Sequence, residues 1–163
     1  IDNLAKKGDA KAAKFPVPKL DEKEHRYDVS FSGLKTAVIH QCDMFWQPGY
    51  EHSTENMCAA FQETAIKTLV SRLLRAVDDT GLKTVVCGGG VAANSRLREM
   101  LAERTDLNCL FPPLKLCGDN GAMIAGVAYH FLMRGDRSDW NTVTCARIPQ
   151  FKRGLAQVNH NKK

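Results

Sequence analysis

The stretch that decides the fold is Thr84–Met100, which reads TVVCGGGVAANSRLREM. It begins with a short apolar, β-branched run, 84–87, which is typical of a buried strand. Three glycines follow, and Asn94 and Ser95 then open a run in which apolar residues return at helical spacing. The stretch therefore predicts a strand, a glycine turn and a helix over 94–104.

The glycine turn and the helix start together favour a bound nucleotide. Gly88, Gly89 and Gly90 have no Cβ atom, so the turn can adopt left-handed dihedrals and a ligand can touch its main chain. The start of the following helix adds unpaired N–H groups and the positive end of the helix dipole. We therefore predict that these three glycines and Asn94 bind a nucleotide. In the alternative interpretation Asn94 is only an N-cap, a position that asparagine favours.

The residues Gly88-x-Gly90-x-x-Ala93 also fit the dinucleotide-binding fingerprint, with alanine in its last position. That fingerprint requires an acidic residue about 20 residues further on, at the end of the next strand, where it holds a ribose. The next predicted strand, 108–111, runs directly into Pro112-Pro113 without an Asp or Glu. The sequence therefore disfavours a classical dinucleotide site.

Composition and charge are those of an ordinary globular protein. Of the 163 residues 44% are apolar and 25% are charged, and no apolar run reaches the roughly 20 residues of a membrane span. Because the chain starts at Ile1 without a signal-peptide pattern, we expect it to be part of something longer. Six cysteines without zinc spacing predict reduced thiols in a cytoplasm. The net charge of +5 fits nucleic acid, but also solvated basic ends.

The remaining segments predict an α/β fold around the glycine turn. Apolar residues at i, i+3, i+4, i+7, i+8 and i+11, from Ile66 to Val77, predict a long helix, 54–79, that Ser53 caps and Gly81 ends. This helix should back a sheet with the strands 84–87 and 108–111. The other predicted elements are helices 3–7, 34–45 and 120–133 and strands 27–31 and 142–146. We expect an irregular lead-in 1–27, an α/β lobe 28–146 and a basic tail 147–163.

Asp119 follows the second predicted sheet strand, after the turn Leu116-Cys117-Gly118. Turns that follow parallel strands gather at the carboxyl edge of a sheet, where ligands bind. We therefore expect Gly88–Gly90, Asn94 and Asp119 to lie near each other in a nucleotide-binding lobe. From the residues alone, the favoured role of Asp119 is the N-cap of the helix 120–133, because Asp is a preferred N-cap.

Four blocks carry a resemblance to a known family: LAKKGDAKAAKFPVP (4–18), SFSGLKTAV (30–38), CGGGVAANSRLREML (87–101) and LFPPLKLCGDNGAMIAG (110–126). They are similar to the bacterial branch of the TsaD/Gcp family, the threonylcarbamoyl transferases that modify tRNA. The resemblance implies the second half of a two-lobed protein of the actin-like ATPase (ASKHA) superfamily, with RNase-H-like lobes and a nucleotide between them. The glycine turn then corresponds to the adenosine motif of that superfamily.

The resemblance also implies a divalent metal, with iron first and zinc or magnesium as alternatives. In the family an HxxxH pair and the aspartate at the position of Asp119 bind it. The pair belongs to the first half, and none of the five histidines here has its spacing. Cys117-Gly118-Asp119 departs by one residue from the commoner Cys-Thr-Asp. The expected ligands are thus Asp119 for the metal and the glycine turn for ATP, AMP or threonylcarbamoyl-AMP.

The implied reaction transfers a threonylcarbamoyl group from threonylcarbamoyl-AMP to N6 of the adenosine beside the anticodon. The implied partners are tRNA, an inactive paralogous subunit and a small P-loop ATPase, in a homo- or heterodimer. We expect salt-dependent tRNA contacts at Lys152 and Arg153.

Two alternative functions stay open. One is a metal-dependent glycoprotein endopeptidase, although the chain has no HExxH. The other is an inactive nucleotide-binding or dimerisation fragment.

Overall fold

The computed structural model describes residues 1–17, 25–45, 47, 49 and 53–143, and it has the predicted α/β character. The chain divides between Asp119 and Asn120 into two units. In chain order the first unit contains α1 (Asp2–Ala5), α2 (Ser32–Phe45), α3 (Thr54–Thr80), β1 (Thr84–Val86), a 3-10 turn (Gly90–Ala93), α4 (Ser95–Ala102), β2 (Asn108–Leu110) and a second 3-10 turn (Leu114–Leu116). The second unit contains α5 (Gly121–Met133). No helix in the described ranges is long and apolar enough to cross a membrane.

The two strands pair in parallel, as the sequence predicts. Val85 lies opposite Cys109, and the N–H of Cys87 extends the ladder by donating to the carbonyl of Leu110 at 2.9 Å. The expectation of a fully buried first strand is wrong, because Val85 is buried while Val86 is 75% exposed. Alternate residues of a strand point to opposite faces of the sheet, and the described residues cover only one face here.

Helix α3 begins and ends where the sequence places it. The Ser53 hydroxyl accepts a hydrogen bond from the N–H of Asn56 at 3.1 Å, and Gly81 ends the helix in a left-handed conformation with φ of 68°. Its apolar stripe meets α4 in a core of Ile66, Val70, Leu97 and Leu101. Cys87, Cys109 and Phe111 pack against this core from the sheet side. The predicted helix-backed sheet is therefore confirmed.

A second core lies at the first half of α3. Its buried members are Phe15, Leu34, Met57 and Ala60, so it joins the N-terminal segment and α2 to α3. The N-terminal segment is also tied to α3 by the N–H of Asp9, which donates to Oδ1 of Asn56 at 2.8 Å. The predicted lead-in thus packs on the lobe, and its helix covers Asp2–Ala5 instead of 3–7.

The strand predicted at 27–31 does not form, and these residues are irregular. Side chains hold the segment instead. The Arg26 guanidinium donates two hydrogen bonds to Asp79 at the end of α3, at 2.5 and 2.6 Å, and the Tyr27 hydroxyl donates a third at 2.9 Å. The strand predicted at 142–146 lies mostly outside the described residues, and so does the tail 147–163. The predicted domain boundaries stay a prediction.

The Arg26–Asp79 pair predicts a pH effect on stability. Hydrogen bonds from Arg26 and Tyr27 lower the pKa of Asp79 from 3.8 to about 2. A lowered folded-state pKa means that the pair stabilises the protein above about pH 4 and that this contribution is lost as the pH falls towards 2. The difference in thermal midpoint between wild type and Asp79→Asn should therefore shrink over this range. Arg26→Gln should show the same trend, and a difference that does not change with pH would contradict the assignment.

The second unit is described by itself. The Asn120 side chain accepts a hydrogen bond from the N–H of Met123 at 3.1 Å, so Asn120 is the N-cap of α5. The expectation that Asp119 occupies this position is wrong by one residue. Asparagine and aspartate are equally good N-caps, and the local chain geometry selects Asn120, whose backbone is extended with φ of −152°. Gly135, with φ of 86°, follows the helix end.

Candidate functional site

The glycine turn after β1 presents open main chain. Gly88, Gly89 and Gly90 are exposed, and a Cβ atom built on any of them would meet no described atom within 4 Å. Gly89 has φ of 81°, a conformation that residues with a side chain adopt only with strain. The chain then forms the 3-10 turn, in which the N–H of Ala92 donates to the carbonyl of Gly89 at 3.0 Å. The turn therefore leaves room for a ligand against its backbone.

A cavity of about 850 Å³ adjoins this turn. Its walls come from the starts of α1 and α2, the middle of α3 and the 3-10 turn, and they are mainly apolar, with Phe31, Phe61 and Leu69 among them. The polar part of the wall comes from Asp2, Asn3, Lys35, Gln62 and Asn94. Ligand pockets typically measure about 300–1,000 Å³ and combine an apolar wall with a few polar groups. The size and lining of the cavity therefore fit a small molecule held beside the glycine turn.

Asn94 lies between the turn and α4, and it is half-buried. Its Oδ1 accepts a hydrogen bond from the N–H of Leu97 at 3.1 Å, which makes it the N-cap of α4. Its Nδ2 donates to Oε1 of Gln62 at 2.9 Å, and Gln62 is itself buried. The prediction that Asn94 is an N-cap is therefore confirmed for its side-chain oxygen, Oδ1. Nucleotide binding through the amide group stays a prediction.

A carboxylate lies at the same helix start. The Ser95 hydroxyl donates to Oδ1 of Asp2 at 2.6 Å, and Lys6 pairs with the other oxygen at 3.4 Å. Partial burial alone would raise the pKa of Asp2, but the hydrogen bonds from Ser95 and Lys6 outweigh it, so the pKa lies below its usual value. A negative charge at this position repels a phosphate. The surroundings of Asn94 thus favour the uncharged nucleoside part of a nucleotide.

The segment after β2 leaves the same edge of the sheet as the glycine turn, because the two strands are parallel. Its Cys117 is only 2% exposed, and the Sγ atom lies 3.7 and 3.6 Å from the carbonyl oxygens of Pro112 and Pro113. Asp119, two residues later, is exposed. The buried thiol anchors the segment, and the carboxylate follows it at the surface.

The donor set for a metal is incomplete in this part of the protein. Within the described ranges, no three His, Cys, Asp or Glu side chains come together in a way that could hold a metal ion. Asp119 offers one hard oxygen ligand, whereas catalytic metal sites typically use three protein ligands. A metal here would need ligands from other residues, so we derive no chemical step from one.

The sequence patterns missed three groups near the turn. Glu63 receives hydrogen bonds from Arg96 at 2.7 and 3.3 Å and pairs with Lys67 at 3.0 Å. The hydrogen bond from Arg96 lowers the pKa of Glu63 despite partial burial. Gln62 orients Asn94, and Arg98 contacts two separate segments of the site. No local pattern marks these residues, since their partners are distant or belong to the backbone.

Comparison with known proteins identifies the family of this chain. The family described as TsaD, tRNA N6-adenosine threonylcarbamoyltransferase, matches residues 1–126, which include the glycine turn, Asn94 and Asp119. The chain belongs to this family. A relative named tRNA N6-adenosine threonylcarbamoyltransferase from Treponema denticola is 57% identical over 153 residues. Relatives of the same name from Treponema pallidum (strain Nichols) and Borreliella afzelii are 52% and 39% identical over 155 and 162 residues.

The chain spans slightly less than half the length of these TsaD relatives. The alignments cover 94% of this chain and 45% of the Treponema denticola protein, and 99% of this chain and 46% of the Borreliella afzelii protein.

Proposed function

We propose that this chain forms the nucleotide-binding part of an enzyme that transfers a threonylcarbamoyl group to tRNA. In this reaction N6 of the adenosine beside the anticodon attacks the carbamoyl carbon of threonylcarbamoyl-AMP. The new C–N bond forms, the C–O bond to AMP breaks, and N6 loses a proton. The observation that carries the proposal is the open glycine turn beside a mainly apolar cavity, which lies within the residues that match the TsaD family.

The proposed work of the chain's own residues is to bind and orient the adenylate. The nucleoside edge lies against the main chain of Gly88–Gly90, since no side chain there keeps it away. The Asn94 amide is held by Gln62 at the wall of the cavity, so it is oriented before the ligand arrives. Asp2 disfavours a phosphate at the same place and thus directs the charged part of the ligand away from α4.

The finer parts of the proposal follow from family membership. The chain would form one lobe of an actin-like ATPase fold, and Asp119 would be one ligand of a divalent metal: iron, zinc or magnesium. The partners would be tRNA, an inactive paralogous subunit and a small P-loop ATPase, in a homo- or heterodimer located in the cytoplasm with its tRNA substrate. Lys152 and Arg153, the expected tRNA contacts, lie outside the described residues.

The direct test uses the full-length protein, threonylcarbamoyl-AMP and unmodified tRNA, with the tRNA nucleosides analysed by mass spectrometry. We expect a modified adenosine that depends on the adenylate. Peptide cleavage without tRNA modification would instead support the endopeptidase. Nucleotide binding without either activity would support a binding module.

The Asn94→Ser substitution separates the two roles of Asn94. Serine keeps an N-cap oxygen for the Leu97 N–H but has no amide group to offer a nucleotide. Serine also cannot replace the hydrogen bond from the Asn94 amide to the buried Gln62, so we expect the full-length protein to lose about 1–3 kcal/mol of stability. We expect an AMP affinity that is at least about tenfold weaker, as for the loss of a further hydrogen bond of about 1.4 kcal/mol. Isothermal titration calorimetry measures this affinity.

Two further variants complete the comparison. Asn94→Ala should lose the cap as well, which costs about 1 kcal/mol of stability, and should weaken AMP binding further. Gly88→Val should block the approach to the main chain without distorting the turn, because Gly88 is not left-handed and a Cβ atom there meets no described atom within 4 Å, whereas a valine at Gly89 would be strained. If Asn94→Ser and Gly88→Val both bind AMP as the wild type does, the turn is not the nucleotide site and Asn94 is a cap alone.

A further inference from the structure

Arg98, at the end of the first turn of α4, joins the two segments that leave the carboxyl edge of the sheet. Its Nε donates to the carbonyl of Ala92, in the 3-10 turn that follows the first two glycines, at 2.7 Å. One of its terminal nitrogens donates to the carbonyl of Pro112, after β2, at 3.0 Å. The same nitrogen lies 3.5 Å from the Sγ atom of Cys117. One guanidinium group therefore holds both segments at once.

The surroundings of Arg98 fix the orientation of this group. The carbon of the guanidinium lies 4.6 Å from the centre of the Phe111 ring, in a cation–π contact, and the side chain is half-buried. Charged donors make stronger hydrogen bonds to carbonyl oxygens than neutral ones do. The guanidinium is planar and rigid, so its donors point to Ala92 and to Pro112 at a fixed angle. A lysine ammonium has the same charge but no such fork.

We propose that Arg98 is a positioning residue, which sets the distance between the glycine turn and the segment 112–119 that carries Asp119. The inference rests on the proposed nucleotide site at that turn. Without the fork, the 3-10 turn after Gly89 is free to move relative to the segment after β2, and a nucleotide bound at the turn loses its fixed place beside Asp119. Arg98 donates to the carbonyls of Ala92 and Pro112 and to Sγ of Cys117, so its described hydrogen bonds all stay within the protein and we assign it no direct contact with the nucleotide.

The matched pair of variants is Arg98→Lys and Arg104→Lys in the full-length protein. Arg104 also follows α4 closely, but its guanidinium pairs with Asp106 at 2.8 Å, away from both segments. Arg98→Lys should weaken AMP binding about tenfold, equivalent to one charged hydrogen bond, and should speed hydrogen exchange in residues 88–94 and 112–119. Arg104→Lys should change neither the affinity nor the exchange in these segments. Arg98→Gln, which keeps a single donor nitrogen and loses the charge, serves as a second variant if Arg98→Lys folds poorly.

Three outcomes would overturn the proposal. The first is an Arg98→Lys protein with wild-type exchange in both segments. The second is faster exchange throughout α3 and β1 as well, which would make Arg98 a general structural residue. The third is faster exchange confined to the two segments with unchanged AMP affinity, which would show that the Arg98 hydrogen bonds do not contribute to AMP binding. If the wild-type protein itself does not bind AMP, the proposed function fails, and the exchange data alone decide whether Arg98 ties the two segments together.

Discussion

Asp119→Ala in the full-length protein should reduce threonylcarbamoyl transfer at least about a hundredfold and leave the fold intact. The reason for the loss is the proposed role of the carboxylate as a metal ligand, since even residues that only support metal ligands contribute about 10–100-fold. The reason for the intact fold is structural. Asn120, not Asp119, caps α5, so the substitution leaves the hydrogen bond to the N–H of Met123 in place. Losing the favourable charge near the helix start costs at most about 1 kcal/mol.

The measurements are metal content by elemental analysis, modified adenosine by mass spectrometry and the thermal midpoint. Asp78→Ala is the matched control. Asp78 is also an exposed aspartate of the first unit, but it lies at the end of α3, where a negative charge opposes the helix dipole. It should keep full activity and full metal content. An Asp119→Ala protein with undiminished metal would exclude Asp119 as a ligand.

The local part of the fold could be predicted from the sequence. The ends of α3, its apolar stripe, the glycine turn and the parallel strands all follow from patterns within about 30 residues, and all are confirmed. The N-cap at Asp119 is wrong by one position because Asp and Asn stand next to each other there and both are good caps. The strand at 27–31 is wrong because an alternating pattern requires a neighbouring strand, and side-chain bonds from Arg26 and Tyr27 to Asp79 hold that segment instead.

The contacts that build the candidate site could not be predicted in this way. Arg98 occupies a polar position of an amphipathic helix, where a solvated side chain is the ordinary expectation. Its oxygen acceptors are main-chain carbonyls, which leave no mark in a sequence. Asp2 and Ser95 are 93 residues apart and meet only because α1 packs on α3. Sequence patterns identify the turn that is open to a ligand, but not the residues that hold it in place.

Gly8→Ala should have the largest effect on stability of any substitution proposed here. A Cβ atom on Gly8 would lie 2.1 Å from the carbonyl oxygen of Glu55 and 2.2 Å from its carbonyl carbon. These are main-chain atoms in the first turn of α3, which the Ser53 cap fixes, so they cannot move aside as the end of a side chain would. Overpacking typically costs about 1–3 kcal/mol, and we expect at least the upper end of that range for a clash with backbone.

Gly33→Ala is the control for Gly8→Ala. Gly33 lies in the first turn of α2, and a Cβ atom there would meet no described atom within 4 Å. Replacing a glycine in a helix by alanine stabilises by up to about 1 kcal/mol. The two variants make the same chemical change, so thermal unfolding of both isolates the steric effect at Gly8. Equal midpoints would show that the N-terminal segment does not pack against α3 as the structure describes.

The packing of Gly8 against α3 also affects the candidate site. Gly8 follows α1, whose Asp2 accepts the hydrogen bond from Ser95 at the start of α4. Moving α1 away from α3 separates Asp2 from Ser95 and opens the cavity wall, to which Asp2 contributes beside Asn94. Gly8→Ala should therefore weaken AMP binding even at temperatures where the protein is still folded. Asp2→Asn, which keeps the packing and removes the charge, should not destabilise α1 to the same degree, so comparing the two separates the effect of position from that of charge.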